Sequence, residues 1–171
     1  MLEDTRTVDP TTRELRLTWQ DPHATAALMR ETSGIEALRT LMERGRRPPI
    51  MVLMNIWLVE VGDGRIVFEG EPGEEHYNPI GSIHGGFAMT ILDSALGCAI
   101  HTKLPAGVGY ATTDVQTRFI RSISHESGRV RCEGNVIHVG RTTAISDARL
   151  TDASGRLLAT ATTACAIFRP T

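Results

Sequence analysis

The segment IHGGFAMTILDSALGCAI, residues 83–100, decides the fold. It has the length of a helix, and nearly every face of that helix is apolar or small rather than a single stripe. Such a pattern predicts a helix that is buried on all sides. A membrane-spanning helix is the alternative, but the polar residues and the many glycines and alanines of the segment disfavour it.

Strand-like segments surround this helix on both sides. Before it, Ile50–Val61 and Arg65–Glu71 flank the turn Gly62-Asp63-Gly64, which is typical of a hairpin. After it come four further candidate strands: Gly109–Ile123, Gly128–His138, Arg141–Thr151 and Arg156–Phe168. The order predicts an α+β fold in which an antiparallel sheet of about six strands wraps around a central buried helix.

Two short helices are predicted ahead of the first strand. Asp21-Pro22 provides a helix N-cap followed by proline at the first helical position. Ser33 and Glu36 have the spacing of a capping box, and apolar residues then recur at helical spacing. We therefore expect an N-terminal helical extension over residues 1–48 and a main domain over residues 49–171.

Composition excludes several classes of function. The net charge of -2 gives no electrostatic attraction to nucleic acid or to an anionic membrane, and the aromatic content of 5% disfavours a base-stacking surface. The three cysteines, Cys98, Cys132 and Cys165, have neither disulfide-framework nor zinc-ligand spacing. The N-terminus lacks a basic stretch leading into an apolar one, so we expect a cytoplasmic protein. Because the cysteines lack ligand spacing, we expect no bound metal.

Asp93 is the chemical anomaly of the central helix. A carboxylate in a buried helix carries a large desolvation cost unless it is paired, so it is a candidate nucleophile or general base. The alternative is a structural aspartate that points to the surface or is satisfied by Thr90 or Ser94. His84-Gly85-Gly86 stands where the helix begins, and unpaired N–H groups at a helix N-terminus meet the requirement for an oxyanion hole. By itself this tripeptide is equally typical of a helix-entry turn, and Asn78 is typical of a turn.

Together these residues resemble a known signature. Asn78 stands six residues before His84-Gly85-Gly86, and Asp93 nine residues after that histidine. This spacing resembles that of the hotdog-fold acyl-CoA thioesterases, in particular the phenylacetic-acid-degradation and 4-hydroxybenzoyl-CoA thioesterase-like groups. The likeness extends over about residues 49–168. It implies the hotdog fold and hydrolysis of an acyl-CoA, with no cofactor apart from the coenzyme A of the substrate.

The resemblance also implies roles for individual residues. Asp93 attacks the thioester or activates water, Gly85 supplies the oxyanion N–H, and Asn78 positions water or substrate. A serine or threonine early in the next strand assists, and Thr112 matches it best, with Thr113 as the alternative. The remaining candidates are His84 beside the oxyanion glycine and, for contacts with substrate or coenzyme A, Gly86, Thr113, Arg118, Arg121 and Arg141.

Geometry predicts an assembly of two chains. Gly85 and Asp93 are eight helical residues apart, which is about 12 Å along the axis and about 80° around it, so one helix cannot place both against one carbonyl. We therefore expect a homodimer with sites between subunits, or a tetramer built from two dimers. Two other functions stay open: a non-catalytic acyl-CoA-binding module, and a hydratase or dehydratase using His84 and Asp93. A hydrolase built on Cys98 is disfavoured, because no base is positioned beside it.

Overall fold

The computed structural model describes residues 11–169, apart from the side chain at position 125. It contains four α-helices in this range: α1 (Pro22–Glu31), α2 (Gly34–Glu43), α3 (Pro49–Leu53) and α4 (Gly85–His101). The strands are β1 (Ile56–Gly62), β2 (Arg65–Gly70), β3 (Gly109–Phe119), β4 (Val130–Val139), β5 (Thr143–Thr151) and β6 (Leu157–Phe168). These six strands form one antiparallel sheet in the order β1-β2-β4-β5-β6-β3, so β3 is an edge strand.

Helix α4 lies against one face of this sheet, as the sequence predicts. Every second residue of β5 is buried, from Ala144 to Leu150, because strand side chains alternate between the helix face and the outer face. The helix contributes fully buried side chains such as Leu92 and Leu96 to the core. The buried hydroxyl of Ser146 donates to the Leu96 carbonyl at 3.0 Å, which ties the helix to the sheet. The α+β fold with a central helix is confirmed.

The first two helices pack onto this core. At α1, the Asp21 carboxylate accepts the His23 backbone N–H at 2.9 Å, as expected of an N-cap. At α2, the Glu36 carboxylate accepts the Ser33 hydroxyl at 2.6 Å, and Leu38 is buried in the main core. A Cβ added to Gly34 would lie 1.8 Å from the His101 carbonyl oxygen, so α2 approaches the end of α4 too closely for any side chain at that position.

The division into an extension and a main domain at residue 48 stays a prediction. Its first residues, 1–10, lie outside the described part of the chain. Within the described part, α2 shares the hydrophobic core with the sheet, because Ala37, Leu38 and Leu41 are all buried. The extension is therefore packed against the main domain rather than separated from it.

Two predicted strand boundaries are wrong. Residues 49–53 form helix α3, and the first strand begins only at Ile56, whereas the sequence predicted a strand from Ile50. Proline at the first position favours helix initiation, and Asn55, with φ of 48°, makes the turn that redirects the chain into β1. Strand β3 ends at Phe119 rather than Ile123.

Candidate active site

Helix α4 leaves one stripe uncovered, and Asp93 lies on it. Met89 is 43% exposed, Asp93 is exposed, and the half-buried Thr90 and Ser94 border them. Residues 86, 89, 90 and 93, all exposed or half-buried, recur at the spacing of one helix face. The prediction that the helix is buried on all sides is therefore wrong for the single chain, and so is the argument that Asp93 is buried within it.

Thr112 of the edge strand reaches Asp93. Its hydroxyl donates to the Asp93 carboxylate (Oγ1 to Oδ1) at 3.0 Å, whereas the Thr113 hydroxyl donates to the Ala164 carbonyl at 2.8 Å. A β-bulge between Thr112 and Asp114 separates the two threonines. Because the bulge shifts the alternation by one residue, Thr112 faces the helix before it and Val115 faces the core after it. Of the two alternatives, the structure brings Thr112 to Asp93.

The N-terminus of α4 presents an unused donor. His84 is the N-cap residue, and its ring nitrogen Nδ1 accepts the Gly86 N–H at 2.8 Å. The Gly85 N–H has no acceptor among the described residues, as expected of the first N–H of a helix. The Phe119 ring lies over this glycine, with Cζ 3.1 Å from the position that a Cβ would take. Gly85 thus combines a free donor with close approach of a neighbour.

A cleft of about 300 Å³ opens beside this donor. Its lining includes His84, Gly85, Phe119 and Arg121, and it also contains the loop that follows β3. The Arg121 guanidinium donates to the Leu157 carbonyl at 2.6 Å, which fixes its position near the cleft. Of the three arginines predicted to contact coenzyme A, this is the one that adjoins the helix N-terminus.

The other two arginines lie elsewhere in the chain. Arg118 lines a depression on the outer face of the sheet together with Asp147 and Arg149. Arg141 lies in the turn between β4 and β5, and its carbonyl accepts the Arg169 Nε–H at 3.2 Å. That turn adjoins the Gly109 end of β3, so it is about 30 Å along the strand from Arg121. One chain does not bring the three together, and their contact with coenzyme A stays a prediction.

Asn78 holds the loop that precedes α4. Its Oδ1 accepts the N–H groups of Ile80 and Ser82, both at 3.1 Å, and its Nδ2 donates to the Ser82 hydroxyl at 2.9 Å. This arrangement agrees with the structural interpretation of Asn78 as a turn residue. One of its two amide hydrogens is left over after the bond to Ser82, because a carboxamide carries two.

The side chains around Asp93 are held in their neutral forms. Burial raises the pKa of the Cys98 thiol to about 12, and burial raises the pKa of Tyr110 well above its usual value. Cys98 is therefore a protonated thiol at neutral pH, which further disfavours a cysteine nucleophile.

Sequence reasoning missed the aromatic partners of the helix glycines. Phe119 covers Gly85, and the Tyr110 ring lies 2.8 Å from the Cβ position of Gly97. Glycines twelve residues apart on one helix gave a weak signal for close packing against a neighbouring strand. Nothing in the sequence indicated which strand would supply the rings.

Comparison with known proteins shows a similarity to thioesterases. The sequence pattern of the Thioesterase superfamily matches residues 80–159, which include α4, its N-terminal glycines and β3. The match covers slightly less than half of the chain, and over these residues the chain is similar to the thioesterase superfamily. Human acyl-coenzyme A thioesterase 13 is 29% identical to it over 109 residues, covering 63% of this chain and 76% of the relative. Together these matches identify a thioester hydrolase.

Solved structures of other proteins share its fold. AziG of S. sahachiroi superimposes with a TM-score of 0.70 at 21% identity, covering 73% of this chain and all of that one. A Streptococcus mutans protein whose structure contains acetyl CoA has a TM-score of 0.61 at 24% identity, covering 68% and 92%. In residues 11–169 of this thioesterase, no helix is long and apolar enough to cross a membrane. Nor does this range contain a cluster of three or more metal-ligating side chains.

Proposed function

We propose that the protein hydrolyses an acyl-CoA thioester to a free acid and coenzyme A. Asp93 acts as general base or nucleophile, and the Gly85 N–H binds the developing oxyanion. The observation that carries this proposal is a pair of groups on α4: an exposed carboxylate that accepts the Thr112 hydroxyl, and an N–H without an acceptor in the described chain. Relatives and structural neighbours that act on or contain coenzyme A derivatives give independent support.

In the general-base form of the reaction, Asp93 takes a proton from water as its oxygen adds to the thioester carbonyl carbon. The negative charge that gathers on the carbonyl oxygen is stabilised by the Gly85 N–H and by the positive end of the helix dipole. The tetrahedral intermediate then collapses with departure of the coenzyme A thiolate, which receives the proton. In the nucleophilic form, Asp93 adds to the carbonyl carbon and the coenzyme A thiolate leaves, which gives an acyl anhydride. Water then hydrolyses this anhydride to the free acid and the Asp93 carboxylate, and the proton released goes to the thiolate. Thr112 orients Asp93 through its hydrogen bond at 3.0 Å in either form.

The site requires two chains, and we propose a homodimer. Met89 lies midway between Gly85 and Asp93, so two antiparallel α4 helices that cross at Met89 place each Gly85 opposite the partner's Asp93. The uncovered surfaces agree with this arrangement. Met89, Phe119 and Ile120 are 43%, 56% and 47% exposed, and β3 is an edge strand of 11 residues next to them. Pairing of two such dimers into a tetramer, and a cytoplasmic location, stay predictions from the sequence.

The carboxylate is tested by Asp93→Asn. We expect turnover of the best acyl-CoA to fall at least about a hundredfold, because the variant loses the base or nucleophile. The assay is release of free thiol from a panel of acyl-CoAs. A wild-type protein that binds acyl-CoA without turnover supports the non-catalytic alternative, and wild-type rates in Asp93→Asn contradict the mechanism.

The shared site is tested by mixing two chains, Asp93→Ala and Asn78→Asp. We expect each to be inactive alone, because we propose that the remaining amide hydrogen of Asn78 positions water or substrate. Asn78→Asp keeps the side-chain oxygen that accepts two loop N–H groups and replaces the amide donor with a carboxylate oxygen. Random exchange of subunits should restore about a quarter of the wild-type activity, because half of the dimers are mixed and each has one intact site. Mixed dimers without activity contradict a site shared between chains.

A further inference from the structure

A second cavity lies beyond the C-terminal end of α4. It has a volume of about 470 Å³, within the range of about 300–1,000 Å³ that is usual for small-molecule sites. Its walls are mostly apolar, and its lining consists of Met29, Arg30, His101, Gly107, Val108, Gly109, Tyr110, Phe168 and Arg169. None of Asn78, Gly85 and Asp93 is among them, and His101 is eight residues, about 12 Å along the helix, from Asp93.

His101 at this cavity is a buried polar side chain without a partner. It is 4% exposed, and neither Nδ1 nor Nε2 has a hydrogen-bond partner among the described residues. Burial lowers the pKa of His101, so the ring is neutral near pH 7 and offers one N–H donor and one acceptor nitrogen. Buried groups of this kind normally have partners, which indicates that a ligand or water supplies one here.

The mouth of the cavity is cationic. Arg30 and Arg169 line it, both are exposed, and neither forms an ion pair with a carboxylate within residues 11–169. Met29 and Arg30 belong to α1, so the N-terminal extension supplies one wall of the cavity. The lining thus combines two exposed cations, apolar side chains and a buried neutral imidazole.

We propose that this cavity binds an apolar monocarboxylate that carries a hydroxyl at its far end. The carboxylate lies between Arg30 and Arg169, the hydrocarbon contacts Met29, Tyr110 and Phe168, and the hydroxyl exchanges a hydrogen bond with His101. The ligand is a free acid in a site of its own, and the proposal is independent of the role of Asp93. It gives the N-terminal extension a function in ligand binding.

The test is calorimetric titration of the full chain with 10-hydroxydecanoate and with decanoate. Because one hydrogen bond to an otherwise unpaired imidazole distinguishes the two acids, the hydroxy acid should bind roughly fivefold more tightly. Arg30→Gln should weaken both acids by a similar factor, because it removes a charge that both share. Equal affinities of the wild-type protein for the two acids, or binding of neither, overturn the proposal.

Variants of His101 separate recognition from folding. His101→Leu should abolish the preference for the hydroxy acid, whereas His101→Gln, which retains a donor and an acceptor, should keep part of it. A preference that persists in His101→Leu overturns the proposal, and the comparison of the two acids on wild-type protein stands if this variant does not fold. Asp93→Asn is the control for product binding in the active site: unchanged affinity supports a separate site, and a parallel loss of both acids contradicts it.

Discussion

Thr112 and Thr113 provide a matched pair of substitutions for the proposed site. They are neighbours in β3, both are exposed, and each hydroxyl donates one hydrogen bond, but Thr112 donates to the Asp93 carboxylate and Thr113 to the Ala164 carbonyl. Valine replaces threonine with little change of shape and similar strand propensity. Thr112→Val and Thr113→Val therefore remove the same kind of group from the two faces of one strand.

The expected effects differ in kind. A hydrogen bond to a charged group contributes about 1.5–3 kcal/mol, and we take the lower limit because Asp93 is exposed in the single chain. A loss of about 1.5 kcal/mol of transition-state stabilisation corresponds to about a tenfold fall in kcat for Thr112→Val. Thr113→Val loses a bond between neutral groups, so we expect a loss of about 1 kcal/mol or less in the free energy of unfolding and no change in kcat.

The measurements are steady-state hydrolysis of the best acyl-CoA and urea unfolding of each variant. Under the proposal, Thr112→Val changes kcat with little change in stability, and Thr113→Val does the reverse. Equal kcat values in the two variants would mean that the hydroxyl beside Asp93 has no part in the reaction. A larger kcat effect in Thr113→Val would return the assisting role to Thr113 and refute the assignment from this geometry.

Three further perturbations test the assembly, the docking of the extension and the buried histidine. Met89→Glu should produce monomers without activity, because two carboxylates would meet at the helix crossing. The control is Ile145→Glu, at a 39% exposed position on the outer face of the sheet, which should leave the active dimer intact. Sedimentation measures the oligomeric state of both variants. Gly34→Ala should lower the free energy of unfolding by about 3 kcal/mol or more in a urea titration. This is at or above the usual cost of overpacking, because the added Cβ would overlap a backbone carbonyl. Burial lowers the pKa of His101 in the folded chain below its unfolded value of about 6.5, so the unfolded chain binds the proton more readily. The free energy of unfolding should therefore fall as the pH drops below about 6.5 and level off below the folded pKa. His101→Gln should reduce this fall.

The fold was predictable because its strongest signals are local. A long apolar segment predicted a helix in the core, and the alternating strands after it predicted a sheet on which that helix lies. Helix α3 was missed because Ile50–Leu53 is apolar and short, and periodicity does not separate a short buried helix from a strand. The proline that begins α3 was the signal that could have decided it.

The geometry of the candidate site was less predictable, because it depends on one β-bulge. Strict alternation along β3 would place residues 110, 112, 114 and 116 on one face. After the bulge, odd-numbered residues such as Val115 lie on this face instead of residues 114 and 116. A bulge without glycine leaves no mark in the sequence. The pairing of Asp93 with Thr112 therefore came from the resemblance and the structure, and not from the pattern of the strand.

The exposure of Asp93 changes the reason for regarding it as functional. The sequence argument started from the cost of burying a carboxylate, yet the single chain does not bury it. The stripe that carries Asp93 adjoins an unpaired strand edge, and the hydrogen bond from Thr112 joins the two surfaces. A second copy on this surface would bury the carboxylate beside the partner's free helix N-terminus, where an anion is stabilised. Asp93 is then desolvated when two chains associate rather than when one chain folds. The single chain can therefore fold without burying a carboxylate, and the reactive site forms only in the dimer.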